Sequence, residues 1–264
     1  MRDDLGKRMK EQYEIRTRTF LPRRTFTIIR IDGKAFHTYT RKLESPFDYG
    51  LMQDMNKTTE YLCKNIQGCK MGYVQSDEIS LLLTDFEKDT TDAWFDGQVQ
   101  KIVSVSASMA TNRFNHLRIL REISRNLSQI DVAVQNIKQW IFAEFDARVF
   151  SIPDPIEVEN YFVWRQKDAV RNSISMLAQS LYSHKELTGK SSNEQQEMCF
   201  QKGANWNDLP NRCKRGLSIF LEKSSTMSAD SFDQTVYSTS EWKQEAFDFL
   251  KEREKLSKII PSYR

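Results

Sequence analysis

The order of the apolar runs constrains this chain more than any single motif. Residues 26–31, "FTIIRI", are β-branched and aromatic and stop on Asp32-Gly33, which predicts a strand closed by a turn. "YGLMQDMNKTTEYLCKNI" then places Leu51, Met55, Thr58, Thr59 and Leu62 at helical spacing, with Gly68 as the stop. Two short runs, "MGYV" and "ISLLL", flank the polar "QSDE", which is the pattern of a hairpin. The proline-free stretch from Gln98 to Leu127 predicts one or two helices, and "FDARVFSI" ahead of Pro153 and Pro155 predicts another strand. Strand, helix, hairpin, helix, strand is the order of a split βαβ sheet with helices on one face, so the expected class is α+β with a mainly antiparallel sheet.

Downstream, "IEVENYFVWRQKDAVRNSISMLAQSLYSH" reads as a helix with Val158, Tyr161, Phe162, Ala169, Leu177 and Leu181 on or near one face. "KRGLSIFLEK" predicts a short strand. From Lys223 the chain is poor in aliphatics and rich in Ser and Thr, which predicts a linker, and a final amphipathic helix is expected between an N-cap at Ser240 and a stop at Pro261. The expected division is a catalytic unit over residues 1–222 and a linker with a helical extension over 223–264. At 264 residues the chain can bury a full core.

Charge excludes little by itself. Lys+Arg 39 against Asp+Glu 36 leaves a formal net charge of +3, too slight to identify a nucleic-acid partner without local clustering. The N-terminus lacks an apolar h-region and no apolar run is long enough to span a bilayer, so a soluble, unsecreted, cytoplasmic protein is expected. Cys63, Cys69, Cys199 and Cys213 match neither a disulfide framework nor a zinc knuckle and read as reduced structural thiols.

If the first strand and the hairpin are neighbours, Asp32 meets Asp77 and Glu78 at one edge of the sheet, although 44 residues lie between the two aspartates. Gathered carboxylates repel one another, and a hard divalent cation such as Mg²⁺ offsets that cost. Two such ions activate an attacking hydroxyl and stabilise a leaving phosphate oxygen. Gly33 allows close backbone approach, and the amides from Gly33 through Lys34 and Ala35 to Phe36, with Lys34 and His37 nearby, form a candidate triphosphate cradle. Asp-Gly after a strand is equally common turn chemistry, and Ser-Asp-Glu is ordinary hairpin punctuation. Spacing alone leaves both readings open.

"RIDGKAFHTYT" followed by "GYVQSDEISLLL", then "FDARVF", "YFVWRQKDAVRN" and "LTGKSSNEQQEMCFQKGANWNDLPNRCKRGLSIF", resembles the tRNA-histidine guanylyltransferase family over about residues 5–222. The resemblance implies a palm-like, ferredoxin-like core in which Asp32, the Gly33 carbonyl and Asp77 hold two Mg²⁺ ions, with Glu78 beside them. It places Asp48 and Ser76 among the nucleotide-binding residues. It also implies ATP activation of a 5′-phosphorylated tRNA end, followed by attack of the 3′-hydroxyl of an incoming GTP or other nucleoside triphosphate. A homotetramer is implied as well.

The departures point to one branch of that family. Where the guanosine-adding enzymes carry His-Ile-Asn-Asn-Leu-Tyr-Asn, this chain reads Val170-Arg171-Asn172-Ser173-Ile174-Ser175-Met176; where they carry Lys-Pro-Asn-Asp, it reads Ser45-Pro46-Phe47-Asp48. Both changes resemble the guanylyltransferase-like proteins that repair truncated tRNA 5′ ends by copying the opposite strand. Arg165, Asp168 and Asn172 share one helix face, which periodicity alone reads as solvated and the resemblance makes a candidate nucleotide- or RNA-binding face; Lys190 lies in "GKSSNE", where the resemblance implies contact with a triphosphate. Basic groups at Arg118, Arg121 and Arg125, at Lys214 and Arg215, and at Arg16, Arg18, Arg23 and Arg24 are candidate phosphate contacts, although charged surface of this kind is common. A palm-fold cyclase and a non-catalytic tRNA-binding protein are the competing readings. A cyclase would place two glycines before the hairpin acids, where Val74-Gln75-Ser76 stand, and the intact acids oppose loss of catalysis.

Overall fold

A computed structural model describes residues 4–227 and 236–263. Six strands, β1 (Phe26–Gly33), β2 (Cys69–Gln75), β3 (Glu78–Leu83), β4 (Phe145–Ile152), β5 (Leu217–Met227) and β6 (Val236–Glu245), form one sheet in the order β4-β1-β3-β2-β5-β6. Every neighbouring pair is antiparallel. The helices are α1 (Asp4–Met9), α2 (Phe36–Tyr39), α3 (Tyr49–Asn65), α4 (Val99–Arg125), α5 (Ile130–Lys138), α6 (Pro155–Leu181), α7 (His184–Leu187), α8 (Ser192–Gln201), α9 (Asn211–Arg215) and α10 (Arg253–Ile259). The expected strand, helix, hairpin, helix, strand order is present in β1, α3, β2–β3, α4 and β4.

Helices cover both faces of the sheet, which corrects the expectation of one. Ile29 and Ile31 of β1 pack with Met55 and Leu62 of α3 and Phe114 of α4, whereas Phe26 and Ile28 pack with Val158 and Phe162 of α6. Strand side chains alternate, so a run that is apolar on both parities must be covered twice. Asp48 caps α3 by accepting the Leu51 amide at 2.6 Å, and Asp154 caps α6 ahead of Pro155 by accepting the Ile156 amide at 2.7 Å. The four cysteines are buried and free. Among the described residues no helix is long and apolar enough to cross a membrane.

The C-terminal part differs most from expectation. β5 runs across residue 222 to Met227, and Ser240 pairs with Lys223 in β6 instead of capping a helix. Only Arg253–Ile259 of the expected terminal helix is helical. Residues 228–235 of the expected linker lie outside the described residues. The ladder with β5 satisfies backbone groups over ten register pairs, and Trp242 packs on the α3 side while Phe247 and Phe249 fill the α6 side. That cross-strand pairing outweighs the local helical periodicity.

Candidate active site

Register brings the acids together. Asp32 stands opposite Glu78 on β3 and Asp146 on β4, while Ser76 and Asp77 form the two-residue turn between Gln75 and Glu78. Directly opposed residues of an antiparallel pair share a face, so Asp32, Glu78 and Asp146 lie on the α6 side. Burial pushes the Asp32 carboxyl above its ordinary range, and Asp146 adds to this; Arg148, Arg30 and Arg165 oppose it. Burial pushes Asp77 up to about 6, with Asp32 and Glu78 adding and the Ser76 hydrogen bond opposing.

Glu78 has a different environment from its neighbour. Burial raises its carboxyl, but Arg165 answers it: Nε donates to Oε1 at 2.7 Å, and Nη1 lies 2.8 Å from Asp168 Oδ2. Arg171 also pairs with Asp168. The Arg165 side chain is 8 % exposed and its guanidinium lies 4.2 Å from the Trp164 ring centre. Glu78 is therefore engaged in an ion-pair chain, and no three His, Cys, Asp or Glu side chains form a metal-holding group among the described residues. Asp146 is paired with Arg148 at 3.5 Å, which leaves Asp32, Asp77 and the Gly33 carbonyl as the available donors. This hard-oxygen set fits Mg²⁺, which binds through one or two carboxylates and keeps waters or substrate phosphates for its other positions.

The turn after Asp32 is shaped around Phe36. A Cβ on Gly33 would sit 2.2 Å from Phe36 Cδ2, and the ring is fixed among Tyr39, Phe114 and Phe145. Gly33→Ala is expected to cost about 1–3 kcal/mol through this overpacking, seen as a lower Tm, and to lower nucleotide addition by shifting the Gly33 carbonyl. An unchanged Tm would show that the ring yields freely. Lys34 is held away from the acids, its amide donating to Glu144 O at 2.8 Å and its ammonium to the Glu144 carboxylate at 2.5 Å. Ala35 adopts the left-handed region and opens α2, where the Phe36 and His37 amides stand at a helix start that offers them no intrahelical acceptor. His37 is exposed.

Asp48, Ser76 and Asn172 gather in a cleft of about 60 Å³ between the α3 N-terminus, the hairpin tip, α6 and α9. A second cleft, of about 350 Å³, opens between Tyr39, Lys42, Arg118 and Trp140. Lys190 does not join them. It pairs with Glu194 at 3.3 Å beyond Leu181, the end of α6, which at 1.5 Å rise per residue lies about 24 Å from Arg165.

The expected basic rows mostly resolve into internal partners. Arg121 chelates the buried Asp54 through Nε (3.0 Å to Oδ2) and Nη2 (2.7 Å to Oδ1), and Arg118 reaches the same carboxylate at 3.3 Å. Arg125 is exposed. Lys214 is buried and donates to Asn207 O at 2.6 Å, and Arg215 donates to Asp248 Oδ2 at 3.0 Å. Sequence reasoning missed a different group. Arg30 and Arg148 are register partners on the rows that carry Asp32 and Asp146, and Arg30 lies 6.0 Å from the ring centre of Trp164, which is 47 % exposed. The period-two spacing of Arg30 and Asp32 was a legible signal for half of it.

A βαββαβ sheet with two crowded aspartates where its central strands end defines a palm-type core for phosphoryl transfer. The comparisons agree. Residues 6–153 match the family described as Thg1, tRNAHis guanylyltransferase. A bacterial tRNA(His) guanylyltransferase-like protein solved in complex with ATP is 39 % identical, with a TM-score of 0.79 over 97 % of this chain and 98 % of that one. The GTP complex of a bacterial protein so described is 38 % identical at a TM-score of 0.75, over 98 % of this chain and 100 % of that one. The tRNA(His) guanylyltransferase of Debaryomyces hansenii is 27 % identical over 80 % of this chain and 79 % of its own length. An uncharacterized protein of Acanthamoeba polyphaga mimivirus is 29 % identical over 90 % of this chain and 83 % of its own. The chain belongs to the tRNA(His) guanylyltransferase family and is a nucleotidyltransferase.

Proposed function

We propose that this enzyme extends the 5′ end of tRNA in the 3′-to-5′ direction, copying the opposite strand. The carrying observation is the meeting of Asp32 with Asp77 at the strand ends beside Gly33, with Glu78 withdrawn to Arg165. In the first stage a 5′-monophosphate oxygen attacks the α-phosphate of ATP, pyrophosphate leaves, and the RNA end is adenylylated. In the second, the 3′-hydroxyl of an incoming nucleoside triphosphate attacks that RNA phosphate and AMP leaves. A 5′-triphosphate end enters at the second stage, where pyrophosphate leaves in place of AMP.

Asp32, Asp77 and the Gly33 carbonyl would hold two Mg²⁺ ions, which when bound promote ionisation of the attacking hydroxyl and neutralise the leaving oxygen. Arg30 and Arg148 supply positive charge on the same face and suit the triphosphate of the incoming nucleotide. The cleft beside Tyr39 and Trp140 has the size of a small-ligand site and suits the activating nucleotide. ATP and GTP in the bacterial relatives support this reading, as does Val170 in place of the histidine that the guanosine-adding enzymes carry. We also infer a homotetramer acting in the cytoplasm, in keeping with the resemblance.

The test supplies Mg²⁺, ATP, GTP and a tRNA lacking its first nucleotide, and varies the base opposite the gap. One added residue that follows the opposite base is expected. No extension, cyclic nucleotide as the product, or addition of guanosine whatever the opposite base would sink the proposal.

A further inference from the structure

Arg212 belongs to none of the ion-pair chains described above. It lies on α9, at the wall of the cleft that also takes in Ser76 of the hairpin tip and Asn172 of α6. Its Nε and Nη2 are shielded from solvent and have no hydrogen-bond partner among the described residues. Those two nitrogens form the side edge of the guanidinium, the edge that donates two parallel bonds to a pair of oxygens. Arg121 shows the same edge in use within this molecule, closed on both oxygens of Asp54.

An unpaired guanidinium edge away from water is costly unless something completes it. Asp48 is the one carboxylate lining the cleft among the described residues, and it faces backbone amides instead, accepting from Leu51 at 2.6 Å and Glu44 at 3.4 Å. Gln75 and Ser173, the other polar neighbours, are uncharged. The missing partner is thus an anion with two oxygens in one plane, placed one residue from Asp77. We propose that Arg212 anchors a phosphate group of the substrate in this cleft. This rests on the reading of the chain as a nucleotidyltransferase acting at Asp32 and Asp77. The phosphate comes either from a nucleoside triphosphate or from the RNA 5′ end, and the two sources are separable.

Full-length wild type, Arg212→Met and Arg212→Lys are compared in equilibrium binding without turnover. One arm sets ATP against adenosine, and the other sets 5′-phosphorylated against 5′-hydroxyl forms of one tRNA. In the arm that supplies the phosphate, Arg212→Met is expected to lose about tenfold or more of the wild-type preference, in line with a lost charged bidentate contact. Arg212→Lys is expected to restore only part, because an ammonium cannot make two parallel bonds. Unchanged preference in both arms overturns the proposal. Ligand-free Arg212→Met should melt no lower than wild type, since it removes a shielded guanidinium edge that has no partner among the described residues; a lower Tm with intact binding would make Arg212 structural and also overturn it. Wild type that binds phosphate through Arg212 yet never extends tRNA would sink the polymerase reading alone. Extension that proceeds while Arg212→Met binds as wild type does would sink this proposal alone.

Discussion

Asp77→Ala is expected to lower nucleotide addition by at least about 10³-fold while tRNA affinity stays within a few fold of wild type. Metal-held charge and positioning supply several kcal/mol of transition-state stabilisation, and each 1.36 kcal/mol is a decade in rate. Asp77 sits in the turn that faces Asp32, so on the proposed two-ion reading its removal would leave one carboxylate and the Gly33 carbonyl, too few donors to fix two ions. Single-turnover addition to a 5′-triphosphorylated tRNA isolates the second stage, and persistence of addition there would show that the ions lie elsewhere.

The same residue should show the opposite sign in stability. Burial holds the Asp77 carboxyl up to about 6 against an ordinary 3.8. An acid whose folded pKa exceeds its unfolded value binds more protons when folded. The metal-free fold therefore loses stability as pH rises from about 4 to about 6, and remains at that lower level above it. Two units amount to at most about 3 kcal/mol, reduced by the water that still reaches the group. Asp77→Asn in chelator near neutral pH should therefore raise Tm by several degrees and flatten the pH dependence, while remaining inactive. A lower Tm for the asparagine variant would mean that Asp77 is not under electrostatic strain.

The second large effect is expected at Arg165. Its guanidinium contacts Glu78 and Asp168, whose side chains are 11 % and 14 % exposed. Arg165→Ala leaves a buried carboxylate without its counter-charge, and breaking such a pair from one side costs about 3–5 kcal/mol. At about 2–4 °C per kcal/mol for a chain near this size, a fall in Tm on the order of 10 °C follows. Adding Glu78→Gln to Arg165→Met should recover part of the loss, because no charge then remains stranded at position 78. If the single variant melts within a degree or two of wild type, Glu78 is not held by Arg165 and returns to the list of candidate metal ligands.

Parts of this molecule were legible before any coordinates. β1, the β2–β3 hairpin, α3 and α6 announce themselves because Asp32-Gly33, Ser76-Asp77, Asp48 and Asp154-Pro155 punctuate runs of clear period. β6 did not, because "VYSTSEWKQE" mixes small polar and aromatic residues in a pattern that takes its strand identity from β5. Arg118, Arg121, Lys214 and Arg215 read as exposed positive charge, since a sequence displays a side chain's charge without the partner that meets it. Asp54 and Asp248, 67 and 33 residues from Arg121 and Arg215, are those partners.

From its residues alone, this chain determined the element order from β1 through α6, the two acidic clusters, the glycine whose missing side chain makes room for Phe36, and the family resemblance that joins them. The tertiary structure alone decided which acids are available. Asp77 and Glu78 are adjacent carboxylates in sequence, but one sits in the turn toward Asp32 and the other enters a β-pair whose face meets Arg165. It also decided which guanidinium edges meet an anion, since the Nε–Nη2 edge of Arg121 found Asp54 and that of Arg212 found no partner among the described residues. The physical reason is that burial raises the energy of every unpaired charge, and which charges are paired depends on contacts between residues far apart in the chain.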